Sequence, residues 1–409
     1  MNNLRILLLL LVPALLLTGS SNTSSEDTIA IAAEIHREVL TLDSHTDTPL
    51  LLARDGFDIG RRNPAGQRGG QVDFPRMFEG GLDAAFFAVF VGQGERTPEG
   101  NEAAKERALH IFDLIHSAVD GHPGMAGLAL APDDACRLKE EGRLAIYIGL
   151  ENGYPLGLDI NLVDKYYDLG ARYITLSHSR NNDICDSSTD PAGPEHGGLS
   201  EFGREVVRRM NDLGMMIDVS HISDHAFYDV IDISRAPVVA THSNARAVCD
   251  HPRNMDDDML IALRDNGGVI QVCILSAYVK TPEPAPERDA ALAEVRERFN
   301  NFEGLTDEQM EKAREAWFEV QERYPRKLAT VADLADHIDH IVDLIGIDHV
   351  GIGTDFDGGG SLDDCRDVTE IGNITLELVR RGYTREEIEK IWAGNFMRVF
   401  REAESKRSR

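Results

Sequence analysis

Apolar residues along the chain fall into short unbroken runs, separated by stretches in which they recur every three or four positions. The runs are VLTLDSH (39–45), LDAAFFAVFV (82–91), RLAIYIGLE (143–151), ARYITLSH (171–178), MMIDVSH (215–221), APVVATH (236–242), GGVIQVCIL (267–275) and HVGIGTDFD (349–357). Unbroken runs suit strands buried on both faces, as in a parallel sheet, whereas one-sided sheets alternate. The stretches between them read as amphipathic helices. Two of these close on Gly170 and Gly214, each followed by a strand that runs into Ser-His, and SRAPVVATH ends alike. Glycine just past a helix end supplies the left-handed cap. Eight strands alternating with helices predict an α/β fold, a (β/α)8 TIM barrel. An open doubly wound sheet is the alternative. Against it, no GxGxxG follows the first strand, and polar residues end many strands rather than one switch point.

This pattern makes 27–405 a single catalytic domain. Residues 281–326 interrupt its rhythm after the seventh strand. A polar, proline-rich TPEPAPERD leads into LTDEQMEKAREAWFEV, where Thr306 and Gln309 form a capping box for a charged helix. An insertion there reaches the top rim of a barrel, as decoration or as a lid.

Composition narrows the picture. With 42% hydrophobic residues among 409 and no low-complexity tract, the chain can bury a large core. A formal charge of −28 repels phosphates, which argues against nucleic acid as a partner. Residues 1–22 read as a signal peptide: Arg5, the apolar ILLLLLVPALLL, then small residues for cleavage. The apolar run is short for a membrane span and Pro13 interrupts it. LTGS at 17–20 has the form of a lipoprotein signal with Ser20 in place of the lipidated cysteine. An exported protein, periplasmic or extracellular, with neither a stable membrane span nor a lipid anchor, is therefore expected. Five cysteines (136, 185, 249, 273 and 365), scattered and without a CxxC pair, define no disulfide framework or zinc knuckle.

The candidate chemistry collects where the runs end. His45 and Asp47 follow the first, Glu151 ends the third, His178, His221 and His242 end the fourth to sixth, and Asp355 and Asp357 end the eighth. Barrel enzymes assemble their sites at these strand ends. Any one of the histidines alone would read as a core or rim residue; the cluster carries the argument. Imidazole and carboxylate suit a catalytic zinc with an open position for water. Two metals about 3.5–4 Å apart can share a bridging carboxylate and activate one hydroxide. Glu151, on a middle strand, is placed to bridge two Zn2+ per chain. His45 and Asp47 would complete one metal, and His221 and His242 the other. His178 then remains to stabilise an oxyanion, and Asp355 to carry the proton of the bridging water to a leaving nitrogen.

Other features have plainer readings. His225 follows Ser223, a helix cap, and reads as a first-turn surface residue despite its spacing from His221. HIDH (337–340) lies on a solvated or packing helix face. No GxSxG elbow or cysteine–histidine pair points to a serine or thiol nucleophile.

LDSHTDTP, GLENG, YITLSHSRNN, GLSEFGREVVRRMNDLGMMIDVSHIS, PVVATHSNARAVCDHPRN and VGIGTDFDG together resemble the successive motifs of the membrane (renal) dipeptidase family. The resemblance spans about 35–402, interrupted mainly at 281–326. It implies a binuclear zinc metallopeptidase on an amidohydrolase-type barrel, in an exported bacterial-type relative. Residue by residue, it implies metal ligation by His45, Asp47, Glu151, His221 and His242, and substrate contact by His178. It also implies that Asp355 acts in acid–base chemistry and meets the substrate amino group. Arg253, in HPRN, matches the arginine that holds the dipeptide carboxylate; nothing in the local pattern marks it otherwise. Asp357 would orient its loop. The implied reaction is hydrolysis of dipeptides, including those with a C-terminal D-residue, by a metal-bridging hydroxide, and the resemblance suggests a homodimer. The polar end REAESKRSR departs from the lipid-anchor signal of mammalian members. Another binuclear amidohydrolase acting on cyclic amides, lactones or β-lactams is the alternative within the class. A metal-binding protein without turnover is the alternative outside it.

Asp43 shares a strand face with His45 and Asp47, since alternate residues project alike. It is expected to orient the His45 imidazole from behind the metal.

Overall fold

The computed structural model describes residues 25–64, 69–302 and 305–408, so residues 1–22, where a signal peptide is expected, lie outside the described residues. All eight runs form strands: β1 (Leu42–Thr46), β2 (Ala84–Phe90), β4 (Leu144–Glu151), β5 (Ala171–Thr175), β6 (Met216–Asp218), β7 (Val239–Ser243), β8 (Val269–Val272) and β9 (Val350–Ile352). The three-residue β3 (Ala126–Leu128) pairs with β4 outside the main path. It is too short, and too glycine-diluted, to stand out as an apolar run.

The strands pair in parallel in the order β1-β2-β4-β5-β6-β7-β8-β9. The ring closes just beyond β9. Asp355 N donates to His45 O (3.0 Å) and Asp47 N to Phe356 O (2.8 Å). The last seam of the (β/α)8 barrel is thus built from candidate site residues.

Every strand is buried along nearly its whole length, as unbroken apolar runs require. Residues of one parity pack outward against the helices in a continuous core. Those of the other parity fill the barrel, where Phe86 stacks on Tyr147 and Tyr173 with ring centroids 4.7 and 5.3 Å apart. Phe396 and Phe400, from the C-terminal helix Asn395–Ser405, plug the lower end. The upper end is left for polar side chains.

Strands are shorter than the runs. His178, His221 and Asp355 each lie three residues past the last strand position, on loops. Both predicted glycine caps hold: Gly170 and Gly214 have left-handed φ of 105° and 72°. The insertion folds as helices Pro286–Arg298 and Asp307–Arg323, the latter opened by the expected Thr306–Gln309 capping box. Arg54, on the loop after β1, reaches Glu311 of this helix at 3.5 Å, which places the insertion over the barrel's top rim. No helix among the described residues is long and apolar enough to cross a membrane. The five cysteines are all free, four of them buried.

Candidate metal centre

Glu151 ends β4 on the same face as Tyr147 and Gly149, and so points up the barrel axis. Its two oxygens face opposite sides of a cluster. Oε2 is 3.4 Å from His45 Nε2. Oε1 is 3.3, 3.5 and 3.8 Å from the Nε2 atoms of His221, His242 and His178. Asp47 Oδ2 lies 3.8 Å from His45 Nε2. Three overlapping groups each bring ligand atoms within 4.8 Å of one another: His45, Glu151 and His242; Glu151, His178 and His221; His45, Asp47 and Asp355. Geometry alone therefore admits His178 beside the five expected ligands.

The imidazoles are held in the orientation that metal ligation needs. Tyr173 donates its hydroxyl proton to Ser44 O (3.2 Å) and lies 2.9 Å from His45 Nδ1. Nδ1–H then donates to the phenol oxygen, and Nε2 turns its lone pair toward Glu151. Tyr173 reaches this position because Gly149 stands beside it; a Cβ there would lie 2.0 Å from the tyrosine ring. On the other side, Thr241 Oγ1 donates to Asp218 Oδ2 (2.7 Å) and accepts from His242 Nδ1 (2.9 Å). The His242 Nε2 lone pair is exposed to the cluster in the same way. His221 Nε2 comes within 2.7 Å of His242 Nε2, a distance at which two lone pairs require a proton or cation to share.

Buried polar groups are normally partnered, yet His45 Nε2, Asp47 Oδ1 and His221 Nδ1 have no hydrogen-bond partner. His45 Nε2, unpartnered and 3.4 Å from Glu151 Oε2, faces the cluster with a free lone pair, as a ligand of a divalent cation would. Titration agrees. Burial, then neighbouring positive groups, hold His221 and His242 well below the usual histidine range, so both imidazoles are neutral and keep a lone pair. Burial opposes ionisation of Glu151, but the surrounding imidazoles outweigh it and hold the carboxyl well below its ordinary value. Burial, then the charge of Asp47, push Asp355 well above the carboxylate range.

Backbone conformation marks the same place. Outside the insertion, the described non-glycine residues with left-handed φ are Asn152, His221, Asp355 and Asp357, all at the cluster. Each costs of the order of 1 kcal/mol or more. Gly358 lets the last loop close over the site, since a Cβ there would meet Asp47 Oδ2 at 2.0 Å and Asp355 Oδ1 at 2.3 Å.

Arg253 is buried 11 residues after His242. It donates to His242 O (3.0 Å) and Ser243 Oγ (3.3 Å), lies 5.4 Å from the Tyr278 ring centre, and leaves Nε without a partner. Asp357 accepts from Gln71 N (2.7 Å) and Thr48 Oγ1 (2.8 Å), tying the last loop to the first as expected. His225 is an exposed first-turn residue behind the Ser223 cap. His337 packs between Ala245 N and Val279 O, and His340 pairs with Asp257.

Asp43 corrects one expectation. Its carboxylate accepts from His45 N (3.1 Å), Thr354 N (2.8 Å) and Thr354 Oγ1 (2.5 Å), not from the His45 ring. One step deeper in the strand, it meets Thr354, two residues past β9, before it can reach the imidazole, which Tyr173 occupies instead. Tyr173 and Asp218 were invisible in the sequence, because mid-strand positions in ARYIT and MMID read as core.

A parallel eight-stranded barrel with a histidine–carboxylate cluster at its C-terminal rim defines a metal-dependent hydrolase class. The sequence profile described as membrane dipeptidase (peptidase family M19) matches residues 29–409, and the chain belongs to that family. It is 31% identical over 369 residues to Dipeptidase tcpJ of Claviceps purpurea, covering 88% of this chain and 76% of the relative. Human Dipeptidase 3 is 30% identical, covering 96% and 70% respectively. The crystal structure of the probable dipeptidase PvdM from Pseudomonas aeruginosa superimposes with a TM-score of 0.81 at 33% identity, covering 93% of this chain and 99% of that one.

Proposed function

We propose that the chain is a binuclear zinc dipeptidase in which Glu151 bridges, His45 and Asp47 complete one metal, and His221 and His242 complete the other. The observation that carries this reading is Glu151, with one oxygen turned to His45 and the other to the imidazoles of His221 and His242. Mixed imidazole and carboxylate donors favour zinc. When bound, the metals would polarise the scissile carbonyl and supply a hydroxide at neutral pH.

The chain's own groups do the rest. Arg253, buried and with a spare N–H, holds the substrate's terminal carboxylate in a charge-assisted hydrogen bond. His178 keeps Nε2 toward the cluster while Nδ1 lies 3.0 Å from Ser179 Oγ, so its ring can donate to the oxyanion that develops at the carbonyl. Asp355 receives a proton from the attacking water and delivers it to the leaving nitrogen. Anchoring through the α-carboxylate leaves the configuration at the C-terminal Cα unconstrained, which supports cleavage of dipeptides ending in a D-residue. The N-terminal segment supports export.

Zinc-loaded protein is expected to cleave L-Ala-L-Ala and to cleave its C-terminal amide at least tenfold more slowly in kcat/KM, given the strength of such anchors. Cyclic amides or lactones turned over in preference to either would move the reading to the broader amidohydrolase class.

A further inference from the structure

A cavity of about 610 Å3 is walled by segments from three distant parts of the chain. Leu50 and Arg54 come from the loop that follows Asp47, Arg107 from the helix Pro98–Asp120 after β2, and Met310 and Arg314 from the insertion helix. Three guanidinium groups thus line one cavity in a chain of net charge −28. Two acidic residues, Asp55 and Glu311, also line it. Glu311 pairs with Arg54 at 3.5 Å and Asp55 is exposed. Arg314 is half-buried and, among the described residues, no hydrogen bond or ion pair holds it. Burying its guanidinium is costly, the Glu311 and Asp47 carboxylates offset that cost only through space, and an anion in the cavity would offset more of it.

Position gives the cavity its meaning. None of the metal-cluster residues lines it, but Leu50 lies three residues after Asp47, and the Asp47 carboxylate acts electrostatically on Arg314. Gly70, whose Cβ would touch Leu51 at 2.5 Å and Asp357 Oδ1 at 3.6 Å, links the cavity wall to the last site loop. Arg253, by contrast, is fixed to β7. A dipeptide anchored by its carboxylate at Arg253, with its scissile carbonyl at the cluster, extends its N-terminal residue toward the β1 and β2 loops.

We infer that the Arg54–Arg107–Arg314 cavity receives the side chain of the substrate's N-terminal residue and selects an anionic one, so that aspartyl- and glutamyl-dipeptides are the preferred substrate class. This rests on the dipeptidase reading and on the orientation set by Arg253. It assigns the insertion a role in specificity, because Arg314 exists only there.

The test compares kcat/KM for L-Glu-L-Ala and its neutral isostere L-Gln-L-Ala, with L-Lys-L-Ala as the opposite charge, on the full-length zinc-loaded protein. The Glu/Gln ratio is expected to be about tenfold, the scale of one charge-assisted contact. Arg314→Gln should bring the ratio close to one, and Arg314→Glu should turn the preference toward L-Lys-L-Ala. Arg107→Gln repeats the test from another element should the insertion variants fail to fold. A ratio of one in the wild-type protein, or a ratio unmoved by both glutamine variants, overturns the inference and leaves the dipeptidase reading intact. Failure to cleave any of the three peptides overturns both.

Discussion

On the β1/β9 side of Glu151 the cluster consists of one imidazole and two carboxylates, His45, Asp47 and Asp355; on the β5–β7 side it consists of His178, His221 and His242. The first group is inseparable from the fold. The main chain at His45, Asp47 and Asp355 makes the hydrogen bonds that close the barrel, and Asp43 braces the same seam through Thr354. In the second group His178 and His221 hang three residues beyond strands that already pair without them, while His242 lies within β7. It is steered by buried Asp218, which accepts from Thr175 Oγ1 (2.5 Å) and Thr241 Oγ1 (2.7 Å). The carboxylate half is therefore part of the barrel's closing seam, whereas His178 and His221 of the other half are attached to it by loops. Substitutions on the carboxylate side should cost stability as well as activity, whereas those at the loop residues His178 and His221 should cost activity with little loss of stability.

The largest expected effect isolates chemistry on the carboxylate side. Asp355→Asn should retain its metals but lose roughly 10²–10⁴-fold in kcat, with KM little changed, as loss of a general acid–base group implies. A kcat that persists would remove Asp355 from the reaction. Next, Tyr173→Phe and Thr241→Val test whether the two halves are oriented by equivalent devices. Each breaks one hydroxyl relay, behind His45 or behind His242, and each should weaken zinc binding by about 10–100-fold in a competition assay with a chelator. A loss confined to one variant would make the steering one-sided.

The smallest effect concerns Asp43. Burial raises its carboxyl from the ordinary carboxylate range to about 6. A raised folded-state value means that the folded protein binds this proton more tightly than the unfolded chain does. The stability it contributes is present in full below pH 4 and is lost as pH rises through about 6. Asp43→Asn should flatten that part of the melting temperature's pH dependence between pH 4 and 6, measured on metal-free protein. An unchanged slope would contradict the assignment.

The contrast between the halves also explains what could be read in advance. Strands buried on both faces leave unbroken apolar runs, so all eight were legible, and the polar residues just past them stood out against that background. His45, Asp47, Glu151, His178, His221, His242 and Asp355 are brought together as expected. The supporting residues were not legible. Tyr173 and Asp218 sit at ordinary strand positions, and only the glycine opposite Tyr173, Gly149, gives a weak sign that a large ring crosses there. Asp43 was assigned the right neighbourhood and the wrong atom, because side-chain alternation fixes the face but not the reach. Arg253 surfaced only through the family resemblance, since a buried arginine on a loop has no periodic signature. The arginine-lined cavity depends on three segments more than 50 residues apart, and no local pattern records such a meeting.

The sharing of Glu151 between two metals is the feature on which the proposed chemistry turns. Metal-free protein titrated with zinc, with L-Ala-L-Ala hydrolysis followed at each addition, measures this. Two equivalents per chain should bind, and hydrolysis should reach its full rate only as the second site fills. Full activity at one equivalent, or two bound equivalents without hydrolysis, would contradict it.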